Sequence, residues 1–501
     1  MNGVSLPVNI KTFQMKEIGN LHPKEVWKYF LEICQIPRPS KKEEKIMEYL
    51  IKFGESHGLE THRDEAGNVV IKKGATPGME NRQAVVLQSH MDMVCEKNSD
   101  VEHDFLKDPI KPRIDGEWVK ATGTTLGADD GIGIAAQLAL LAATDIPHGP
   151  IECLFTVDEE TGLTGAFEMK PGFFDSKILL NLDSEDEGEL FIGCAGGVDT
   201  LATFGYEQEK VPSGFIGYKF TVKGLKGGHS GDDINKGLGN SIKIINRFLW
   251  KGTNKFDLRL SNLDGGNLRN AIPREAFAVF LVHEDDKESV VADFNTFHSD
   301  VKNELKDTEP NLVLGLEECN APEWVIDEPT QYDLLNALYA CPHGVIAMSS
   351  QIPGLVETST NLASVKFIQD NQILVTTSQR SSVDSSKTDI ANMVESVFRL
   401  ANASVVHSEG YPGWAPNTNS EILTITKNAY VKLFSVEPIV RAIHAGLECG
   451  LFLEKYPELD MISFGPTIRG AHSPDERLDI ASNVKFWDLL LEVLKNIPEK
   501  K

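Results

Sequence analysis

Val85-Val86-Leu87-Gln88-Ser89-His90-Met91-Asp92 is the stretch on which the reading of this chain turns. Its apolar run predicts a buried strand, and the strand ends by releasing a histidine and an aspartate two residues apart. If the backbone stays extended through them, a period of two points both side chains to the same side. Alone, a His-x-Asp is unremarkable, because a loop histidine beside a solvated carboxylate gives the same letters. Its meaning depends on what other strands release at their own ends.

Three other predicted strands do the same. Residues 151–157 run into Asp158-Glu159-Glu160, residues 177–182 into Asp183, and residues 460–464 are followed within ten residues by His472. Between them, Gly123-Thr124-Thr125-Leu126-Gly127-Ala128-Asp129-Asp130-Gly131 forms a glycine-bounded loop. It feeds an apolar, alanine-rich helix over 132–141, whose dipole favours negative charge at this end. Simple capping would need only one of the two aspartates. Residues 22–59 are expected to be helical, broken by Pro37 and Pro39, with a second amphipathic helix over 41–57 and a short strand over 68–72. Strands alternating with helices at both ends of the chain predict an α/β fold with a mixed, largely parallel sheet flanked by helices. Ligands of such sheets bind beyond the carboxyl ends of the strands.

The middle of the chain has a different texture. Strands are expected over 215–222, 267–272 paired with 275–282, and 361–367 paired with 372–377, with helices over 239–250, 286–305, 330–340 and 389–401. Asn267-Leu268-Arg269-Asn270-Ala271-Ile272 and Asn361-Leu362-Ala363-Ser364-Val365-Lys366 occupy similar places, which suggests two α+β units in tandem. The domain expectation is therefore one domain from 1–197 and 402–501, with 198–401 inserted.

At 501 residues the chain has room for two or three domains. A formal charge of −25 argues against nucleic acid or an anionic membrane as partner, since both select basic surfaces. No apolar window is long enough for a membrane helix, and the first residues lack the pattern of a secretory signal. Seven scattered cysteines without a C-x-x-C pair suit reduced thiols in the cytoplasm.

Gathered at the strand ends are His90, Asp129, Glu159, Glu160, Asp183 and His472. Imidazoles with carboxylates and no thiolate suit zinc, with cobalt or manganese as alternatives. One carboxylate shared between two ions would make a dinuclear centre that holds a hydroxide and polarises a carbonyl. Asp92 is placed to orient His90. Of the adjacent Glu159 and Glu160, one can ligate while the other serves as general base.

Ser-His-Met-Asp at 89–92, Gly-Ala-Asp-Asp-Gly at 127–131, Asp-Glu-Glu at 158–160, Leu-Asp at 182–183 and Ala-His-Ser at 471–473 together resemble the dinuclear-zinc M20 metallopeptidases. The long insert, Asn270-Ala271-Ile272-Pro273-Arg274 and Ala442-Ile443-His444-Ala445-Gly446-Leu447-Glu448-Cys449-Gly450 are similar to the aminoacyl-histidine dipeptidase (peptidase D, carnosinase-like) branch. The resemblance implies two divalent ions, with His90 and Asp183 on one, Glu160 and His472 on the other, and Asp129 bridging. It implies Asp92 orienting His90, Glu159 as general base, and a cis peptide between Asp129 and Asp130. It makes the insert a lid domain in which His229 donates to the oxyanion, while Asn270 and Arg380 hold the substrate carboxylate and a nearby carbonyl. His444 and Glu448 would lie near the substrate's amino end, or equally form a helix N-terminal turn with a packed histidine. The implied substrate is an unblocked dipeptide of the Xaa-His or β-alanyl-histidine type, with room left for a homodimer. A deacylase or carboxypeptidase with the same centre, and a non-catalytic metal or peptide binder, stay open as alternatives.

Overall fold

All six residues of the Val85–His90 strand are buried. The computed structural model describes residues 17–500, and the chain divides into two units. The first takes the chain up to Gly193, Pro416–Ala442 and Leu447 onward. The second takes Cys194–Ala415 and Ile443–Gly446.

The first unit is built on an eight-stranded sheet. Its strands are β1 (Glu60–Arg63), β2 (Val69–Lys73), β3 (Val85–His90), β4 (Ile151–Thr156), β5 (Ile178–Asn181), β6 (Glu189–Cys194), β7 (Ile439–Ile443) and β8 (Asp460–Ser463). They lie in the order β1-β2-β4-β3-β5-β8-β6-β7. The central four, β4, β3, β5 and β8, are parallel neighbours, and β1, β2 and β6 add antiparallel pairs on either side. Buried runs such as Val85-Val86-Leu87 and Ile178-Leu179-Leu180 explain the parallel centre, because strands covered on both faces lose the polar alternation. Helix α1 (Lys24–Ile33) packs on α2 (Ala128–Ala142), and from Ile132 to Leu141 every residue of α2 is buried. The carboxyl ends of β4, β3, β5 and β8 therefore stand side by side on one edge of the sheet.

The second unit is a nine-stranded antiparallel sheet with a large apolar core and a small separate cluster of Ile234, Ile272 and Val356. The strands run in the order Val313–Cys319, Phe215–Lys223, Ala276–His283, Arg259–Gly265, Val356–Ile368, Gln372–Ser381, Gly196–Gly205 and Ser404–His407, with Gly344–Met348 also on Val356–Ile368. Two expectations are corrected here. Ala276–His283 pairs with Arg259–Gly265 and Phe215–Lys223, not with residues 267–272. Leu260 and Leu263 supply buried apolar side chains of Arg259–Gly265, and the chain leaves that strand at Gly266, which sits at φ +65°. The two stretches read as occupying similar places also differ. Ala271–Ile272 makes only a two-residue pair with Gly228–His229, whereas Asn361–Lys366 lies in the middle of a thirteen-residue strand. The sheet also extends past residue 401, since Ser404–His407 pairs with Gly196–Gly205. Among the described residues no helix is long and apolar enough to cross a membrane.

Candidate metal centre

The parallel strands bring the expected carboxylates and imidazoles of the first unit together. His90, the last residue of β3, is buried, with Nε2 3.1 Å from Asp129 Oδ1 and 3.4 Å from Asp183 Oδ1. His472 Nε2 lies 3.1 Å from Asp129 Oδ2 and 3.0 Å from Glu160 Oε2. Asp129 thus turns one oxygen to each imidazole. Two donor sets share it, His90–Asp129–Asp183 and Asp129–Glu160–His472, each tight enough to hold one ion. The Asp129–Asp130 peptide is cis, and both residues depart from helical backbone angles at the start of α2.

The strand ends position these groups through local turns. After β4 the chain passes through Asp158 at φ +52° into a one-turn helix, Glu159–Gly162. The hydroxyls of Thr161 and Thr164 donate to the Asp158 carboxylate, and the Asp158 N–H donates to Glu43 Oε1 at 3.0 Å. Asp92 accepts the N–H of Glu159 at 3.0 Å on one oxygen and that of Glu160 at 3.2 Å on the other. The Ser40 hydroxyl adds a bond of 2.7 Å, and Asp92 Oδ1 lies 3.3 Å from His90 Nδ1, off the line of a hydrogen bond. Asp92 consequently touches both the histidine and the main chain that carries the two glutamates.

The electrostatics of this cluster fit a pair of cations. Burial, with neighbouring charges added, pushes the Asp183 carboxyl up to about 7, and burial raises Glu159 well above the carboxylate range. Glu185 and Glu448 are pushed up to about 8, again chiefly by burial. Hydrogen bonds to Asp129 and Glu160 push His472 up to about 11. Asp129 goes the other way. Burial would raise it, but the two imidazoles hold it below its usual range. So many buried carboxyl groups cannot all ionise against two imidazoles, and the charge they lack is the charge that divalent ions supply. Glu160 Oε1 is buried with no partner among the described residues, a second sign that the donor set suits an ion.

Glu448 opens the helix Glu448–Lys455 and is buried. Its Oε2 accepts from Gln88 Nε2 at 2.6 Å and Thr156 Oγ1 at 2.7 Å, while Oε1 is left without a partner.

In the second unit, His229 and Asn270 are brought together by the Gly228–His229 strand pair, where the Ser230 N–H donates to the Asn270 carbonyl at 2.8 Å. The Asn270 side chain is exposed. His229 Nδ1 accepts the N–H groups of Gly231 and Asp232, both at 3.3 Å. That assigns its proton to Nε2, leaving a donor on the free side of the ring. Burial, reinforced by Arg380, lowers its proton affinity, so the ring is neutral. Arg380 is buried, has no carboxylate within 4 Å among the described residues, and spends Nη1 on the Tyr411 hydroxyl at 3.0 Å. Its Nε has no partner. His444 Nε2 lies 2.7 Å from Ser359 Oγ, and burial, with Arg380 and His229 adding to it, pushes the ring down to about 3.

The family model of peptidase family M20/M25/M40 matches residues 86–496. The chain belongs to that family. It is 47% identical to the cytosol non-specific dipeptidase of Escherichia coli strain K12 over 486 residues, 97% of this chain and 100% of that one. Its structure is similar to that of an aminoacylhistidine dipeptidase from Vibrio alginolyticus, with a TM-score of 0.90, 48% identity and coverage of 97% and 99% of the two chains. A Staphylococcus aureus tripeptidase shares the fold at a TM-score of 0.55 and 18% identity, covering 95% of this chain and 99% of that one.

Two residues of this M20 chain that contact the cluster's loops were not singled out by sequence reasoning. Arg38 reaches the main-chain carbonyls of Met91, Asp92 and Gly127, and Glu476 accepts the N–H groups of residues 126–129. Arg38 stands between two prolines and Glu476 four residues after His472. Neither spacing is a recognisable ligand or catalytic motif, because both side chains serve main-chain atoms that any sequence would supply.

Proposed function

We propose that this M20-family hydrolase cleaves unblocked dipeptides, including the Xaa-His and β-alanyl-histidine type, with two divalent ions, zinc first. The carrying observation is Asp129, which offers one oxygen to each of two imidazole–carboxylate sets. His90 and Asp183 would hold one ion, Glu160 and His472 the other, and Asp129 both. Such ions, when bound, supply a nucleophilic hydroxide at neutral pH and polarise the scissile carbonyl.

The chain's own residues do the rest. Glu159 takes a proton from the attacking water onto its carboxylate and returns it to the leaving amine nitrogen, a transfer suited to a carboxylate whose proton affinity is raised by burial. His229 donates Nε2–H to the oxyanion. Arg380, a buried guanidinium without a carboxylate partner among the described residues, binds the substrate's terminal carboxylate, and Asn270 a nearby carbonyl. His444, neutral beside them, shapes that end of the subsite. Glu448, with one buried oxygen unpaired, receives the substrate ammonium. The cytoplasm is the compartment that suits this enzyme, in line with the name of its Escherichia coli relative.

A panel of dipeptides, β-alanyl-histidine among them, a tripeptide and an acetylated amino acid tests the reading on metal-stripped and metal-restored protein. Dipeptide cleavage that returns with zinc, cobalt or manganese is expected. Preference for the acetylated amino acid would replace it with a deacylase, and no hydrolysis after metal restoration would remove the enzyme reading.

A further inference from the structure

The loop that carries Asp129 is gripped from both sides. On one side the Glu476 carboxylate accepts four consecutive main-chain N–H groups. Leu126 and Gly127 donate to Oε2 at 2.7 and 2.9 Å, and Ala128 and Asp129 donate to Oε1 at 2.7 and 3.3 Å. These donors belong to the loop that leads into α2, whose regular turns begin only after the non-helical Asp129 and Asp130, and a buried carboxylate satisfies all four. Glu476 is buried, and the Glu476 N–H bonds back to the Ser473 carbonyl at 3.0 Å, so it belongs to the same turn as His472.

On the other side, Arg38 Nη2 donates to the Gly127 carbonyl at 2.5 Å, and Nη1 donates to the carbonyls of Asp92 at 2.5 Å and Met91 at 3.0 Å. This guanidinium is 3% exposed and has no carboxylate within 4 Å among the described residues. A Cβ added to Gly127 would stand 2.7 Å from Nη2, and one added to Gly131 2.6 Å from it. The two glycines that bound Gly127-Ala-Asp-Asp-Gly131 thus leave the room that the guanidinium fills. Gly127 also sits at φ +69°.

We propose that Arg38 and Glu476 are positioning residues of the metal centre, clamping residues 126–129 so that Asp129 stands between His90 and His472. The clamp joins three segments remote in sequence. Arg38 ties the end of β3, just past His90, to the Asp129 loop, and Glu476 ties that loop to the His472 turn. Neither side chain reaches the donor atoms themselves. Both act through the main chain, and an ion shared by two imidazole sets is sensitive to the placement of the one carboxylate they share.

The inference rests on the metal-centre reading above, and the test separates the two. Purified full-length wild type, Glu476→Gln, Arg38→Lys and Glu309→Gln are titrated with zinc after chelation, with metal per chain, zinc affinity and melting of the metal-free proteins recorded. Glu309 is the control, a buried carboxylate in the second unit that accepts the N–H groups of Lys226 and Gly239 at 2.8 and 2.9 Å. Glu476→Gln is expected to weaken zinc binding by about 10–100-fold, the usual effect of losing a group that supports metal ligands. Arg38→Lys, which keeps the charge but lacks the fork for three carbonyls, should weaken it by a smaller factor. Glu309→Gln should lower the melting temperature and leave zinc affinity at the wild-type value. If Glu476→Gln does not fold, Arg38→Lys decides alone. Wild-type zinc affinity in both folded clamp variants overturns the proposal. A wild type that takes up no zinc overturns the metal-centre reading instead.

Discussion

Replacing Asp92 with asparagine separates a residue that merely neighbours the cluster from one that holds it. Asp92 uses both oxygens on main-chain donors, Glu159 N–H at 3.0 Å and Glu160 N–H at 3.2 Å, with Ser40 at 2.7 Å. An asparagine oxygen can keep Glu160 and Ser40 only by turning its NH2 toward Glu159 N–H, where two donors face each other. The loss is one charge-assisted bond, about 1.5–3 kcal/mol, plus a buried unpaired N–H at about 1–3 kcal/mol. A total of about 3–5 kcal/mol, at about 2–4 °C per kcal/mol for a unit of this size, gives a fall of about 6–20 °C in the melting temperature of the metal-free protein. The pH dependence has a definite sign. Burial alone would raise the Asp92 carboxyl, but the neighbouring His90 imidazole and the bonds from Ser40 and Glu159 carry it below its usual value. Its contribution is therefore present above its unfolded value of about 4 and is lost as pH falls through the folded one. The gap between wild type and Asp92→Asn should accordingly close in acid below about pH 4. Zinc affinity should fall about 10–100-fold, because His90 loses its orienting partner. Differential scanning fluorimetry against pH and a chelator-competition titration read these quantities. A variant melting within about 1 °C of wild type at pH 7, with unchanged zinc affinity, refutes the argument.

Glu159→Gln should cut turnover by about 10²–10⁴-fold or more while metal content stays at the wild-type value, since it removes a proton carrier and no ligand. Turnover within tenfold of wild type would remove Glu159 from the mechanism. Loading zinc at pH 7 should release protons, because His90 and His472 both hold theirs in the metal-free protein. Calorimetry in buffers of different ionisation enthalpy measures this, and binding without release would show that these rings are not ligands. In the metal-free protein the His472 ion pairs should stabilise fully below about pH 6.5 and fade as pH rises toward about 11. Arg380→Lys should raise KM for dipeptides about tenfold or more with a smaller change in kcat, as expected for lost carboxylate binding. An unchanged KM would place the substrate carboxylate elsewhere.

The first unit was largely legible in sequence because its physics is local. Buried strands with both faces covered give uninterrupted apolar runs, and each run announced its own end with His90, Glu159 and Glu160, or Asp183. His472 could be added because Asp460–Ser463 repeats the pattern. The second unit was less legible. In an antiparallel sheet the pairing partner is fixed by turns and bulges, and Arg259–Gly265, with its register shift between Leu260 and Asn262, does not alternate cleanly enough to be seen. Residues 267–272 offered a more regular pattern and proved to be mostly loop. Asp92 was legible as a neighbour of His90, but its grip on the Glu159 and Glu160 main chain was not, because a bond to an N–H leaves no trace in the partner's identity. The same holds for Arg38 and Glu476.

His472 and Asp129, which face each other at 3.1 Å, are separated by 343 positions in the chain. At about 5–20 residues per second, a ribosome needs roughly 17–70 s to travel from one to the other. During that interval His90, Asp129 and Asp183 have all been made, while His472 and Glu476 have not, and β5 waits with one edge unpaired until Asp460–Ser463 is synthesised. The nascent chain can complete one donor set well before the other, and an open strand edge is a template for unwanted pairing. Translation that stalls between the two halves of the first unit would leave a fragment carrying the His90–Asp129–Asp183 set without the His472 one, with its sheet still unclosed.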